Sequence, residues 1–131
     1  MRITITNTFS SRKISKHFRA RELMCPCCRG CKIDAQLLEA LEDIRSALGN
    51  APIHINSGYR CERHNQEVNG SKKSQHMEGK AADIWAEGKT PEQVYDAACA
   101  ILARCGGIIK HKTYVHVDVR ADKYREDASN E

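Results

Sequence analysis

Two histidines and an aspartate carry the clearest chemical signal in this chain. In the segment Ser74-Gln75-His76-Met77-Glu78-Gly79-Lys80-Ala81-Ala82-Asp83, seven positions separate His76 from Asp83, which as one extended strand would span about 23 Å. Metal ligands must converge on an ion at about 2 Å, so the segment has to turn, and Gly79 is the residue that permits it. Asp83 then stands in an apolar run with Ala82, Ile84 and Trp85, where a carboxylate is costly unless a salt bridge or a metal compensates it. Adding His116 gives two imidazoles and one carboxylate with a fourth position open to water, the donor set of catalytic zinc sites. Such an ion acts as a Lewis acid and lowers the pKa of its water towards about 7. Many proteins own two His and an Asp, so these residues alone leave the metal and the salt bridge both open.

These side chains need rigid elements to hold them. Residues 114–120, Tyr-Val-His-Val-Asp-Val-Arg, alternate at period two, with valines on one face and Tyr114, His116, Asp118 and Arg120 on the other. Residues 81–86 read as a buried strand ended by Gly88, and 53–55 as a short one ended by Ser57-Gly58. Asp34 caps a helix whose Leu37, Leu38, Leu41, Ile44 and Leu48 form an apolar stripe, with Gly49 to stop it. Thr90-Pro91-Glu92-Gln93 starts a second helix with a capping box, and Val94, Ala97, Ala98, Ile101 and Leu102 face inward until Gly106-Gly107. Residues 61–68 read as a helical turn and 70–74 as a polar loop.

With 131 residues, 40% of them hydrophobic and 29% charged, the chain suits one folded domain and is too balanced for wholesale disorder. Neither a membrane-length apolar run nor the apolar core of a signal peptide is visible, so synthesis in the cytoplasm is expected. Residues 1–32 carry a charge of +7 against −3 for the rest, making a basic arm able to touch an anionic polymer. No motif with interleaved aromatics accompanies it, so no nucleic-acid partner is expected. The expected organisation is a single domain over residues 1–121, with the basic Cys-rich arm at 1–32, and a polar tail at 122–131.

Seven cysteines are an odd number, so at least one stays outside any intramolecular disulfide. Cys25, Cys27, Cys28 and Cys31 crowd one segment. With Cys61 they are candidates for a second, structural zinc site, for a disulfide to Cys61, or for free thiols, and connectivity cannot be read from sequence. Cys99, on the inward face of its helix, reads as core.

The ordered motifs Ser57-Gly58-Tyr59-Arg60-Cys61, His64-Asn65, Ser74-x-His76-x-x-Gly79-x-Ala81-x-Asp83-Ile84 and Val115-His116-Val117-Asp118 resemble the zinc D-Ala-D-Ala carboxypeptidase family, over roughly residues 14–121. Its relatives include vancomycin-resistance dipeptidases, phage L-alanyl-D-glutamate endolysins and the hedgehog domain. The resemblance implies an α+β fold, a small antiparallel sheet flanked by helices, with His76, Asp83 and His116 binding zinc. It implies further that Arg60 holds a substrate carboxylate, a role suited to a guanidinium fork, that Ser74 and Gln75 line the site, and that His64 is structural. The implied activity is a monomeric zinc peptidase, acting as carboxypeptidase or endolysin-like endopeptidase on peptidoglycan stem peptides. A wall enzyme without an export signal would reach the wall by a holin or lysis, which fits phage or prophage origin. One position departs from the pattern: many members carry an acidic general base three residues before the last zinc histidine, where this chain has Thr113. Asp118, on the same strand face as His116, is a candidate for that base or for the carboxylate that orients His116. His111 is a candidate to stabilise an oxyanion, and Glu78 a weaker candidate base. The alternative is a non-catalytic zinc-containing wall-binding or phage structural module.

Overall fold

The computed structural model describes residues 2–5, 13–25, 31–70 and 74–130. In chain order the elements are β1 (Arg2–Ile5), β2 (Cys31–Asp34), α1 (Ala35–Ala47), β3 (Ile53–Ser57), α2 (Glu62–Glu67), β4 (Ala81–Ala86), α3 (Pro91–Ile101), β5 (Gly107–Lys110), β6 (Val115–Asp118) and β7 (Tyr124–Asp127). Short 3-10 turns cover Ala20–Glu22 and Gln75–Glu78. β1 and β2 pair antiparallel in a small ribbon, and the other strands form one sheet in the order β3-β4-β6-β5-β7. The fold is α+β, as the motifs imply. The main sheet is antiparallel except at one edge, where β7 runs parallel to β5.

That edge strand lies within the expected polar tail. Tyr124–Asp127 form a strand because a sheet edge offers backbone partners whatever the side chains are, and an outer strand with no core-facing residues leaves no hydrophobic pattern to read. Arg125 fastens it, donating to the carbonyls of Gly106 (2.6 Å) and Leu102 (2.5 Å). β5 also lay unseen in the sequence, since it begins at Gly107, one of the two glycines read as the end of α3.

Both long helices form as their patterns require. Asp34 accepts from the Gln36 N–H to cap α1, and Thr90 and Gln93 exchange capping-box bonds at α3. α1 packs on α3, and α3 covers the sheet face that carries Ala82, Ile84, Val115 and Val117. Leu37, Leu41, Ile44, Val94 and Ile108 complete that core, all at most 1% exposed. Each such aliphatic side chain contributes about 1.5–3 kcal/mol by leaving water, so this face is the rigid side of the sheet. The period-two alternation then forces Asp83, His116 and Asp118 to the opposite face. Phe18 and Leu23 extend the core beneath the N-terminal segment. That segment is clasped to α1 by Glu42, whose carboxylate accepts from Ser15 Oγ and the His17 N–H, both at 2.7 Å.

Candidate metal centre

Asp83 and His116 are cross-strand neighbours, paired in register between β4 and β6, and Ser57 of β3 lies opposite Asp83 on its other side. His76 comes from outside the sheet, on the 3-10 turn immediately before β4. The chain enters that turn through Ser74, whose hydroxyl accepts from the His76 N–H at 3.1 Å. It leaves through Gly79, in the left-handed region at φ +70°. A Cβ there would lie 2.3 Å from the Lys32 carbonyl oxygen, while the Gly79 carbonyl accepts from the Asp34 N–H at 2.8 Å. The turn is thus tucked against β2 by a close approach only glycine allows.

His76, Asp83 and His116 converge, each offering a ligand atom within 4.8 Å of the others. Asp83 Oδ1 lies 3.3 Å from His76 Nε2 and 3.1 Å from His116 Nδ1. Ligand arms of about 2.0–2.1 Å at tetrahedral angles would place donor atoms about 3.3 Å apart, so the spacing fits a zinc-sized ion. The outward nitrogens fix which atoms face inward. His76 Nδ1 must carry a proton, because it donates to the Gly58 carbonyl at 2.7 Å, leaving Nε2 as the lone-pair nitrogen. His116 Nε2 donates to Asp118 Oδ2 at 2.7 Å, leaving Nδ1 for the site. Such outer hydrogen bonds set the tautomer and ring angle of metal-binding histidines. His76 and Asp83 are buried, at 3% and 8% exposure.

Electrostatics agree with a cation at this point. Burial opposes charge on Asp83, but hydrogen bonds from His116 and His76 outweigh it and hold the carboxyl well below the usual range. For His116, burial works against protonation, yet the hydrogen bonds to Asp118 and Asp83 push its pKa up to about 9. In the absence of metal, a proton therefore sits where positive charge is called for.

Asp118 is fully buried and saturated with donors. Oδ1 accepts from the Gly107 N–H (2.9 Å), the Arg120 N–H (3.1 Å) and Arg120 Nε (2.8 Å), while Oδ2 accepts from Arg120 Nη2 (2.6 Å) and His116. Burial raises its pKa, and the bonds from His116 and Arg120 more than reverse this, so it stays ionised. Gly107 makes room for it: a Cβ there would fall 2.5 Å from Asp118 Oδ2. Asp118 thus stands behind His116, away from the inward-facing donor atoms.

Arg60 reaches the site's other side. Its Nη2 is 3.6 Å from Asp83 Oδ2, Nε donates to Ser57 Oγ at 3.2 Å and Nη1 to Asn65 Oδ1 at 3.2 Å. Its backbone N–H donates to the His76 carbonyl at 3.1 Å. Gln75 lies beside His76, half-buried. His64, on α2, faces Glu67 at 4.0 Å and is not among the converging donors. His111 is stacked on Tyr114 at 4.4 Å between β5 and β6, and it too stands outside the donor cluster. Thr113 is exposed in that same turn, and Glu78 pairs with Lys80 at 3.7 Å. Cys25 and Cys61 meet, while Cys27 and Cys28 lie outside the described residues and Cys31 opens β2.

Sequence reasoning missed three supports: the Gly58 carbonyl behind His76, buried Asn65 behind Arg60, and the Gly107 N–H and Arg120 fork behind Asp118. Arg120 was visible as a polar residue in phase with Asp118. The backbone groups leave no mark in side-chain patterns.

Among known proteins, a zinc D-Ala-D-Ala carboxypeptidase of Streptomyces albus G is 44% identical over 46 residues, a stretch that is 35% of this chain and 18% of that protein. The chain thus matches less than a fifth of that relative's length. The family model for peptidase M15 matches residues 16–118, a span that holds all three converging residues, and by that match the chain belongs to the peptidase M15 family.

Proposed function

We propose that this chain is a zinc peptidase that hydrolyses a peptide bond in the stem peptides of bacterial peptidoglycan. The observation that carries the reading is the inward convergence of His76 Nε2, Asp83 Oδ1 and His116 Nδ1, each outer nitrogen already committed to the Gly58 carbonyl or to Asp118. Those three residues would hold the ion. Bound zinc supplies a Lewis acid for the scissile carbonyl and a water of lowered pKa. Arg60 brings a fixed positive charge, held by Ser57 and Asn65, to the rim of the same site, where it would orient a substrate carboxylate or carbonyl oxygen. A terminal carboxylate is the better match to a guanidinium fork, which favours carboxypeptidase over endopeptidase action. Ser74 positions the His76 turn through its hydroxyl, and Gln75, next to His76, would line the site. Asp118 keeps the His116 proton on Nε2 and does not act as general base, since both its oxygens are engaged and it is fully buried.

A second reading, a wall-binding module that holds zinc without turnover, is favoured by Thr113, which offers no carboxylate at the position where a base is expected. Zinc-loaded protein incubated with purified muropeptides decides between them. Release of free D-alanine supports the carboxypeptidase, and internal cleavage the endopeptidase. Retention of peptidoglycan at one zinc per chain with no new product, across a range of pH, would establish the binding module instead.

A further inference from the structure

Two positions along β4 from Asp83 stands Trp85, the one tryptophan of the chain. Alternation puts it on the same sheet face as Asp83, about 7 Å further along, and it is 39% exposed in a strand whose other residues are all buried. A solitary exposed aromatic needs no explanation, but this one is braced. His54, its register partner on β3, stacks on the indole with ring centroids 4.4 Å apart and planes 21° from parallel. His54 Nε2 in turn meets Glu87 Oε2 at 2.6 Å. The Glu87 N–H donates to the Pro52 carbonyl at 3.0 Å, which carries the β3–β4 pairing past the end of β4, and the contact with His54 places the Glu87 side chain on this same face. Asp83, Trp85 and Glu87 thus form a line about 13 Å long, running outward from the metal centre.

That line has a direction relative to Arg60. Ser57 lies opposite Asp83 and His54 opposite Trp85, and Arg60 follows Ser57 with its Nε on Ser57 Oγ. The guanidinium and the indole therefore flank Asp83 from opposite ends of the β3–β4 pair. A peptide with its terminal carboxylate at Arg60 and its scissile carbonyl at the centre runs its preceding residues towards Trp85. The residue before the one that is cut has its Cα about 3.8 Å further along, and a four-carbon stem from there reaches towards Glu87. An indole face suits such an apolar stem and the ammonium at its end. The Glu87 carboxylate is more than half exposed and accepts at both oxygens, so it can hold His54 and receive an ammonium as well.

We propose that Trp85 and Glu87 form a subsite for a lysine-type side chain, the diamino acid of the stem peptide. The inference rests on the stem-peptide reading above and names the substrate residue that the same face would select. Trp85 supplies a surface for the aliphatic stem and Glu87 the opposite charge, while His54 is a positioning residue that holds both. A neutral sugar ring would also stack on an indole, but the carboxylate at the end of the line complements a cation.

The test is to titrate the zinc-loaded protein with a synthetic stem pentapeptide containing lysine, with the same peptide acetylated at Nζ, and with a peptide-free disaccharide of the glycan. Trp85 fluorescence reports occupancy of the face, calorimetry gives Kd, and D-alanine release is followed in parallel. The expected result is a saturating fluorescence change with the lysyl peptide, bound about 10-fold more tightly than the acetylated one. Glu87→Gln should bring the two peptides to the same affinity, and Trp85→Ala should weaken the lysyl peptide as read by calorimetry. Equal affinity for the two peptides in the unaltered protein would overturn the proposal. So would discrimination that survives Glu87→Gln, or a disaccharide that moves the fluorescence as strongly as the peptide. Discrimination with no D-alanine released supports the subsite and counts against the carboxypeptidase reading alone.

Discussion

His116 and Asp83 face each other in register across β4 and β6, with Nδ1 and Oδ1 3.1 Å apart, and on the far side of the same imidazole Nε2 meets Asp118 at 2.7 Å. One ring is therefore held between two carboxylates, of which the first faces the site and the second lies buried behind it. The division of roles follows from burial: Asp83 shares its oxygens with a second imidazole and with Arg60, whereas Asp118 has both oxygens occupied by donors from its own side of the sheet.

This arrangement predicts different outcomes for the two aspartates. Asp83→Asn and His116→Ala remove inward donors and should reduce bound zinc from one equivalent to a trace after dialysis. Asp118→Asn keeps the shape but weakens the hold on His116, and should lower zinc affinity about 10- to 100-fold without abolishing it. Chelator competition monitored by atomic emission distinguishes the cases. Equal, complete loss in all three would show that Asp118 is itself a ligand.

The metal-free site should give the fold a distinctive pH dependence. His116 titrates at about 9 in the folded chain against about 6.5 unfolded, so its contribution is fully present below about 6.5 and is lost as pH rises through 9. Asp83 is shifted downward, so its contribution holds above the unfolded value of about 4 and is lost as pH falls. Without metal, Tm should therefore peak between about pH 4 and 6.5 and decline towards pH 9. With zinc, the same histidine must lose its proton, so the alkaline decline should vanish, and loading near pH 7 should release about one proton. Thermal scans with and without chelator, and calorimetry in buffers of different ionisation enthalpy, measure both. A flat metal-free profile from pH 6 to 9 would contradict the His116 environment described here.

Gly79→Ala should be among the most damaging small substitutions. It forces a side chain onto a φ of +70° and drives a Cβ to 2.3 Å from the Lys32 carbonyl oxygen. A cost of about 2 kcal/mol or more is expected from the left-handed penalty and the clash together, read as a lower denaturant midpoint. Because the same turn carries His76, zinc affinity should fall as well. By contrast Gly88→Ala, also at positive φ but with nothing within 4 Å of its Cβ, should cost only the conformational penalty of about 1–2 kcal/mol and leave zinc binding intact.

Arg60→Lys keeps the charge and discards the fork that Ser57 and Asn65 hold. If the proposed activity holds, kcat/KM on a stem peptide should fall about 100-fold while zinc stays at one equivalent. An unchanged rate would assign Arg60 to the fold alone.

Sequence patterns reached the candidate ligands and the long helices because each leaves a local signature. The caps at Asp34 and Thr90, the apolar stripes of α1 and α3, and the alternation around His116 depend on neighbours within a few positions. The candidate trio of His76, Asp83 and His116 stood out through Gly79, the oddity of Asp83 inside an apolar strand, and the motifs that resemble the zinc peptidase family. β7 was not legible, because edge pairing is made by backbone groups that every residue carries, and the roles of Asp118 were left open for a similar reason. Its choice between base and orienting group depends on the Gly107 N–H and the Arg120 fork enclosing it, which is a matter of burial rather than spacing.

By itself, then, the amino-acid sequence pointed to His76, Asp83 and His116 as candidate metal ligands, required their segment to turn at Gly79 if they are to converge, and placed His116 and Asp118 on one strand face. Only the tertiary structure decided which nitrogen of each histidine faces inward, that Asp118 is sealed behind His116, and that Cys25 meets Cys61. Periodicity is a property of the chain and survives in one dimension. Tautomer, burial and the pairing of residues 36 positions apart are properties of surfaces brought together, and exist only once the chain has folded.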